Sequence, residues 1–262
     1  MKNNRDNLHS SVSHEHEQWS ELFQSELKSH SLELYSSYWW KDYYDEIQAL
    51  MTPILKSLEK PTILEAGSGS GKASIVLKGN PRRTLLDIST EALQYAKLLA
   101  KKFQAKNMNY VEGDIFDMPF KSKTFDISWN IGVIEHYTPK QALTLVSDMV
   151  EVTRSGGYVI VGVPNFRSLP IIKAKLLHTK IFKHISGYRL DTEIAYSESE
   201  LLDLLESAAK AVSRKIEHSS MSYVGNPLIM ESPRFLIKSV GRLLNKVAYR
   251  NKFLMLVVCK VN

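Results

Sequence analysis

The chain has 262 residues, of which 44% are hydrophobic and 24% charged, a composition typical of a folded globular protein. It contains no apolar run of the roughly 20 residues that a membrane-spanning helix requires. The single cysteine, Cys259, excludes an internal disulfide and a cysteine-rich metal site. Together with a polar N-terminus that does not resemble a signal peptide, it predicts a cytoplasmic protein.

The net charge of +6 is concentrated in two late segments of the chain. Residues 167–189 contain six Lys/Arg and no acidic residue, and residues 233–252 contain six more, again without an acid. We interpret these segments as basic helical inserts at about 165–190 and 231–248. Such inserts could cover a substrate, contact anionic lipid headgroups or bind nucleic acid phosphates.

The first 58 residues are interpreted as a polar tail followed by a helical cap. The tail contains His14-Glu15-His16-Glu17, but nothing nearby completes a set of metal ligands, so no metal site is predicted. Helical spacing of apolar residues predicts a helix over 31–58. That helix either packs on the core or acts as a lid that presents aromatic rings to a ligand. Its aromatic residues are Tyr35, Tyr38, Trp39, Trp40, Tyr43 and Tyr44.

From residue 61 onward, short apolar strands alternate with amphipathic helices. This alternation predicts βαβ units and a mostly parallel sheet in one α/β domain that covers residues 59–262. Thr138-Pro139 and Ser197-Glu198-Ser199-Glu200 are typical helix starts. The apolar run Phe253–Cys259 predicts the closing strand.

A glycine-rich loop, Glu65-Ala66-Gly67-Ser68-Gly69-Ser70-Gly71, follows the first strand and opens a helix. Its spacing approaches that of a phosphate-binding loop, but Ala73 lacks the hydroxyl that would hold magnesium. It also approaches the dinucleotide fingerprint, but Lys72 stands where the third glycine belongs. Both nucleotide interpretations are therefore disfavoured.

The loop resembles the first motif of the class I S-adenosylmethionine (SAM)-dependent methyltransferases, an acidic residue followed by alternating glycines. The matching residues are Glu65, Gly67, Gly69 and Gly71, and later family motifs follow in order up to about residue 164. The resemblance implies SAM as cofactor and a doubly wound, Rossmann-like sheet. That sheet has seven mostly parallel strands with an antiparallel last strand. The N-terminal helical lid and the two inserts, after strand 5 and before the last strand, complete the predicted architecture.

The same resemblance assigns cofactor contacts to residues at the ends of later strands. Asp87, with Ile88 beside it, would accept hydrogen bonds from the ribose hydroxyls. Asp114 would accept from the adenine amino group, and the backbone N–H of Ile115 would meet a ring nitrogen. Asn130 would lie beside the methionine part of the cofactor.

Further roles are predicted for six side chains around the expected cofactor. Tyr38, Trp39, Tyr43 and Tyr44 are expected to be the lid residues, and Tyr38 and Trp39 are assigned to the cofactor, since aromatic faces attract a sulfonium cation. Lys72 either points to solvent, which is favoured, or reaches the carboxylate of the cofactor. If the acceptor is a hydroxyl, His136 would act as the general base; otherwise it would be structural and orient the pocket.

The sequence thus predicts a SAM-dependent methyltransferase acting on a small-molecule acceptor, lipophilic or anionic. The alternatives are an RNA methyltransferase and a regulatory protein that binds SAM without catalysis. Peripheral membrane contact through the basic inserts ranks second among the interpretations of those segments. Nucleic acid ranks third, because no RNA-binding module is visible.

Overall fold

The structure, a computed structural model, describes residues 20–29, 32–33, 35–178 and 193–262. The histidines of the predicted tail, His14 and His16, and the last part of the first basic insert lie outside these residues. Among the described residues, no helix is long and apolar enough to cross a membrane.

Seven strands form one sheet in the order β3-β2-β1-β4-β5-β7-β6. Strands β1 to β5 pair in parallel, whereas β7 runs antiparallel to both of its neighbours, β5 and β6. This order confirms the predicted doubly wound, seven-stranded sheet with an antiparallel last strand. The strands are β1 (Thr62–Ala66), β2 (Arg82–Asp87), β3 (Met108–Glu112), β4 (Phe125–Ile131), β5 (Thr153–Pro164), β6 (Ile216–Val224) and β7 (Leu254–Val261).

Helices cover both faces of the sheet, and capping side chains mark where several of them begin. The Ser89 hydroxyl accepts from the Ala92 N–H at 3.1 Å. Ser197 forms the capping box expected from the sequence, and Thr138, expected as an N-cap, also forms a capping box with Gln141. The helices are α1 (residues 20–29), α2 (Tyr38–Lys56), α3 (Lys72–Ile75), α4 (Thr90–Lys102), α5 (Pro139–Val152), α6 (Leu169–His178), α7 (Glu198–Ala211), α8 (Arg234–Leu236) and α9 (Arg242–Val247). A π-helical turn, Ile237–Gly241, joins α8 to α9.

The apolar faces of these helices pack into three clusters against the sheet. Helices α5 and α7 cover one face, and α2, α6 and the turn before α9 cover another part of the core. Helices α1 and α4 pack on β2 at the end of the sheet. Strands β1, β4, β5 and β7 are buried almost throughout, as expected for strands covered on both faces.

The N-terminal region differs from its prediction in two ways. Residues 20–29 form a helix, whereas the sequence predicted a polar tail there. Phe23 anchors this helix, since it is buried and its ring centroid lies 5.5 Å from that of Tyr95. The lid helix begins at Tyr38 instead of near residue 31. A helix with so few apolar residues as α1 depends on tertiary contacts, which the local pattern does not reveal.

Candidate active site

A cavity of about 400 Å³ opens at the carboxyl ends of the parallel strands. The strand order reverses between β1 and β4, and open α/β sheets bind their ligands at such a switch point. The loops after β1, β2, β3 and β4 all contribute to its lining. The topology therefore brings motifs that are far apart in the sequence to one crevice.

The glycine loop forms the wall of the cavity nearest β1. Gly67, Gly69 and Gly71 all have positive φ angles, between 49° and 69°. A Cβ atom at Gly71 would lie 2.3 Å from Cδ1 of Leu85, and one at Gly67 would lie 3.0 Å from Cγ1 of Val133. The loop therefore needs glycine both for its backbone conformation and for close packing.

Asp87 is held in a fixed orientation at the end of β2. Its carboxylate accepts from the N–H of Gly69 at 2.7 Å and from the N–H of Ser89 at 2.9 Å, and it lines the cavity. A carboxylate can accept about four hydrogen bonds, so these two orient the group and still allow it to accept from a diol. The position and chemistry match those predicted for a ribose-binding residue.

The loops after β2 and β3 form a slot with apolar walls. Ile88, Ile115 and Phe116 line it, and Asp114 lies at its edge. Oδ1 of Asp114 accepts from the N–H of Phe116 at 2.8 Å, which fixes the turn. The ring of Phe116 meets that of Tyr137 edge to face, at 5.0 Å between centroids. The sequence predicted Ile88, Asp114 and Ile115 here and missed Phe116.

Asn130 lies outside the cavity, in contrast to its prediction. The residue is fully buried, and its Nδ2 donates to the carbonyl oxygen of Ala66 at 2.7 Å. Since Ala66 directly precedes Gly67, this bond ties β4 to the start of the glycine loop. Asn130 is thus placed to position the loop, not to contact a bound molecule.

The lid helix reaches the cavity with only part of the predicted set, since Tyr43 and Tyr44 line it but Tyr38 and Trp39 do not. Trp39 is fully buried in the core and donates its indole N–H to the carbonyl oxygen of Leu228 at 2.7 Å. Tyr38 lies on the outer side, where the guanidinium of Arg234 stacks 4.9 Å from its ring centroid. The two predicted contacts are therefore corrected. The aromatic residues of this region that line the cavity are Tyr35, Trp40, Tyr43 and Tyr44.

Helical geometry explains the correction. The buried residues of α2 are Trp39, Tyr43, Ile47 and Met51, which recur every four residues. Trp40 lies on the adjacent stripe and faces the cavity, with its ring centroid 5.3 Å from that of Tyr43. Trp39 is held in the core by its indole hydrogen bond to Leu228 and by packing against Phe253 at 5.2 Å, both of which are contacts between distant parts of the chain.

Lys72 is buried, contrary to the expectation that it points to solvent. Its ammonium donates to the carbonyl oxygen of Tyr35 at 2.5 Å and lies 5.1 Å from the ring centroid of Tyr44. Burial and, to a smaller extent, the positive charge of Lys102 lower the pKa of Lys72 to about 8, although the carboxylate of Glu33 counteracts them. Lys72 thus links the first turn after the glycine loop to the lid.

His136 lies in the cavity wall, on the short 3₁₀ turn Ile134–His136 that follows β4. The preceding residue, Glu135, is 1% exposed and also lines the cavity. Phe253 and Leu254 add apolar surface from the start of β7, which the antiparallel pairing brings beside the end of β5. Nothing in the local sequence around these two residues indicated a role in the site.

A comparison with known protein families indicates the type of domain that contains this cavity. Residues 64–161 match the family described as "Methyltransferase domain". The match runs from β1 into β5 and includes the glycine loop, Asp87, Asp114 and His136. Residues 64–161 carry a methyltransferase domain. This confirms the resemblance inferred from the motifs.

Curated relatives of this methyltransferase domain share moderate identity with the chain. An uncharacterized methyltransferase of Schizosaccharomyces pombe is 31% identical over 134 residues, which are 45% of this chain and 47% of that protein. A fatty-acid O-methyltransferase of Mycolicibacterium smegmatis is 25% identical over 71% of this chain and 62% of its own length. A malonyl-[acyl-carrier protein] O-methyltransferase of Herminiimonas arsenicoxydans is 24% identical over 63% and 58%. The chain thus spans less than two thirds of each of these relatives.

Solved structures share the fold of the methyltransferase domain. A SAM-dependent methyltransferase of Thermotoga maritima superposes with a TM-score of 0.58 and 14% identity, covering 92% of this chain and 98% of that one. The magnesium protoporphyrin IX methyltransferase of Synechocystis, solved with bound S-adenosylhomocysteine, gives 0.54 and 15% over 86% and 87%. At these identities the likeness supports the architecture alone.

SAM is the cofactor of this methyltransferase domain, and the residues of the cavity fit it. The glycines let a ligand approach the backbone, Asp87 offers an oriented carboxylate to a diol, and the slot beside Asp114 suits a flat ring. Three acidic residues, Glu65, Glu135 and Glu193, also line the cavity together with aromatic rings, and such rings attract a sulfonium cation.

The buried carboxyl of Glu65 should make the stability of the methyltransferase depend on pH. Burial raises its pKa to about 7, although hydrogen bonds from Ser74 counteract this. The folded state therefore holds a proton that the unfolded state releases, and stability falls as pH rises from 4.5 to 7. In the variant Glu65→Gln, the free energy of unfolding should therefore decrease by roughly 3 kcal/mol less over this pH range than in the wild type.

Urea unfolding at pH 5 and pH 7.5 measures this difference, and the exposed Glu59 provides the control Glu59→Gln. A parallel pH dependence of wild type and Glu65→Gln would contradict the assignment of a raised pKa to Glu65.

Proposed function

We propose that this protein transfers a methyl group from SAM to an oxygen atom of a small lipophilic acceptor. The observation that carries the proposal is the continuity of one cavity. It extends from Asp87 and Asp114, where the cofactor motifs converge, to a chamber under the lid that is lined mainly by aromatic rings.

The walls of that chamber favour an apolar acceptor. Trp40, Tyr43, Tyr44 and Phe253 form a continuous aromatic cluster with centroid separations of 5.0–6.2 Å. Burial raises the pKa of both tyrosines well above the ordinary value, so their phenols stay neutral. Hydrocarbon gains free energy in such surroundings, at roughly 25 cal/mol per Å² of apolar surface buried.

The names of two relatives support an oxygen acceptor on an acyl group. One is a fatty-acid O-methyltransferase, and the other is a malonyl-[acyl-carrier protein] O-methyltransferase. Both align over more than half of this chain. A carboxylate oxygen attached to an apolar tail would place its reacting end toward the cofactor and its tail under the lid.

The chemistry demands little of the protein beyond alignment and the exclusion of water. SAM would supply a methyl group activated by its positively charged sulfur. An oxygen lone pair of the acceptor would bond to the methyl carbon in line as the carbon–sulfur bond breaks, with S-adenosylhomocysteine as the leaving group. The lid closes the chamber from solvent, and the bond from Lys72 to the Tyr35 carbonyl holds the lid against the glycine loop. Removal of a proton is needed only when the acceptor is a hydroxyl.

Whether His136 acts as a base depends on whether the acceptor is a hydroxyl or an ionised carboxylate. With a hydroxyl acceptor, His136→Gln should lower kcat by about 10²–10⁴ and remove the pH dependence near the histidine pKa. With a fatty-acid acceptor, which is already ionised at neutral pH, the same variant should retain its turnover. Steady-state kinetics with both acceptor types measure the difference. Full turnover of a hydroxyl acceptor with an unchanged pH profile would rule out His136 as the base.

A labelled-methyl experiment tests the acceptor class directly. The protein is incubated with methyl-labelled SAM and with separate lipid, polar-metabolite and RNA extracts. The proposal predicts label in the lipid fraction, as methyl esters or ethers. Label in RNA would instead indicate an RNA methyltransferase. SAM binding without label in any extract would favour a regulatory protein.

A further inference from the structure

A surface away from the cavity combines exposed apolar side chains with basic ones. It is formed by α6 and by the helical segment from α8 to α9, which correspond to the two basic inserts. We call this the amphipathic surface. Its outermost apolar residues are Leu169, Ile172, Leu176, Phe235, Leu243 and Val247.

Helix α6 has two different faces. Ile171, Ala174 and Leu177 are buried in the core. Leu169, Ile172 and Leu176 are 48%, 40% and 53% exposed, and their spacing of three and four residues aligns them on one stripe. An aliphatic stripe of this kind on the outside of a helix is unusual unless something covers it.

The segment from α8 to α9 also has a buried inner face and an apolar outer face, and its outer side chains are more exposed than those of α6. Ile237 and Gly241 are buried toward the protein. Phe235, Leu243 and Val247 are 68%, 63% and 73% exposed. The segment is therefore anchored by a narrow inner face and presents its bulkier apolar residues to the outside.

The two elements are linked through their flanks and their inner faces. Lys173 of α6 pairs with Glu231, just before α8, at 2.6 Å. The side-chain amide of Asn251, after α9, donates to the carbonyl oxygen of Arg167, just before α6, at 3.5 Å. Ile171 and Ile237 belong to the same buried cluster. The two apolar stripes therefore belong to neighbouring elements of the protein.

The charge of this surface identifies its partner class. Arg234, Lys238, Arg242 and Lys246 are exposed and form no ion pair within the described part of the chain. We infer that the amphipathic surface binds the headgroup region of an anionic lipid bilayer. Lysine and arginine next to exposed aliphatic residues suit that interface, where the cations meet lipid phosphates and the apolar side chains enter the acyl boundary.

Other partners fit this surface less well. A second copy of the chain would bring two strongly basic faces together. Nucleic acid would use the cations, but apart from Phe235 the outermost apolar residues are aliphatic and would gain nothing from phosphates or stacked bases. Since none of the described helices can cross a bilayer, the contact is with the membrane surface.

The surface adjoins the lid of the proposed active site. Arg234 and Lys238 lie 4.9 Å and 5.8 Å from the ring centroid of Tyr38, at the start of the lid helix. Trp40, two residues further on, lines the cavity. A bilayer bound here would lie next to the lid, which is where a lipophilic acceptor would leave the membrane. That last step rests on the proposed function, whereas the binding itself does not.

Vesicle co-sedimentation of the full chain tests the inference. The vesicles contain either phosphatidylcholine alone or phosphatidylcholine mixed with phosphatidylglycerol, at low and high salt. The test variant is Leu243→Ser/Lys246→Gln. The chain offers a matched control, Leu98→Ser/Lys101→Gln, in which the same two exposed residue types at the same spacing change on α4.

We expect binding to the anionic vesicles that weakens with salt and is much lower on the neutral ones. The test variant should bind at least about tenfold more weakly, from one lost cation and one lost apolar insertion, while the control binds like wild type. Absence of vesicle binding, or equal binding by the two variants, would overturn the inference. So would a test variant that leaves vesicle binding intact but abolishes dimer formation or RNA binding.

Discussion

Replacing Asp87 with alanine should weaken SAM binding by at least about a hundredfold. Hydrogen bonds to a charged group contribute about 1.5–3 kcal/mol each, and two bonds to a ribose diol would be lost. The variant also removes the acceptor that orients the N–H groups of Gly69 and Ser89. Titration calorimetry with SAM measures the affinity directly.

Glu112→Ala is the matched control for this prediction. Glu112 is the register partner of Asp87 on β3, but it is exposed and does not line the cavity. Its replacement should leave the affinity unchanged. If Asp87→Ala and Glu112→Ala bound SAM equally well, Asp87 would not hold the ribose. A thermal melt without cofactor separates lost affinity from lost fold.

Replacing Gly71 with alanine should destabilise the protein and abolish cofactor binding. The new Cβ atom would lie 2.3 Å from Cδ1 of Leu85, and the residue would keep a φ of +61°. Overpacking and a left-handed backbone together cost about 3 kcal/mol or more. For a chain of this size, that corresponds to a fall in melting temperature of roughly 6–12 °C.

The control variant Gly79→Ala separates the cost of the left-handed backbone from the cost of overpacking. Gly79 has a φ of +90°, but a Cβ atom there would meet no atom within 4 Å. In this control the free energy of unfolding should fall by only about 1–2 kcal/mol, the cost of the left-handed backbone, and SAM binding should stay intact. Equal melting temperatures for the two variants would contradict the packing argument for Gly71.

The features that were predictable from the sequence are those encoded within a few residues. The glycine loop, Asp87 at the end of a strand and the capping boxes at Thr138 and Ser197 depend on local backbone chemistry, and the structure contains each of them. The alternation of strands and helices is also a local pattern, and it predicted the mostly parallel sheet. These elements locate the cofactor half of the cavity.

The features that were mispredicted depend on contacts between distant parts of the chain. Trp39 is buried away from the cavity because it contacts Leu228 and Phe253, which are far from it in the sequence. Lys72 is buried because the carbonyl of Tyr35 and the ring of Tyr44 lie over it. Asn130 turns toward Ala66, which no pattern around residue 130 indicates. The acceptor half of the site is built from such contacts.

The roles in binding and catalysis assigned to individual residues stay predictions, since placement alone does not test them. His136 lies where a base would act, and the glycine loop and Asp87 lie where SAM would bind. The basic inserts, whose charge was visible in the sequence, prove to carry an aliphatic stripe as well. That stripe is what distinguishes a membrane-facing surface from an ordinary solvated helix.

The cavity between Asp87 and the aromatic lid is expected to bind SAM. Titration calorimetry of SAM into the full chain measures this binding, with Asp87→Ala as the negative control. We expect saturable binding at one site per chain, competed by S-adenosylhomocysteine and lost in the variant. Absence of binding by the folded wild-type protein would contradict it.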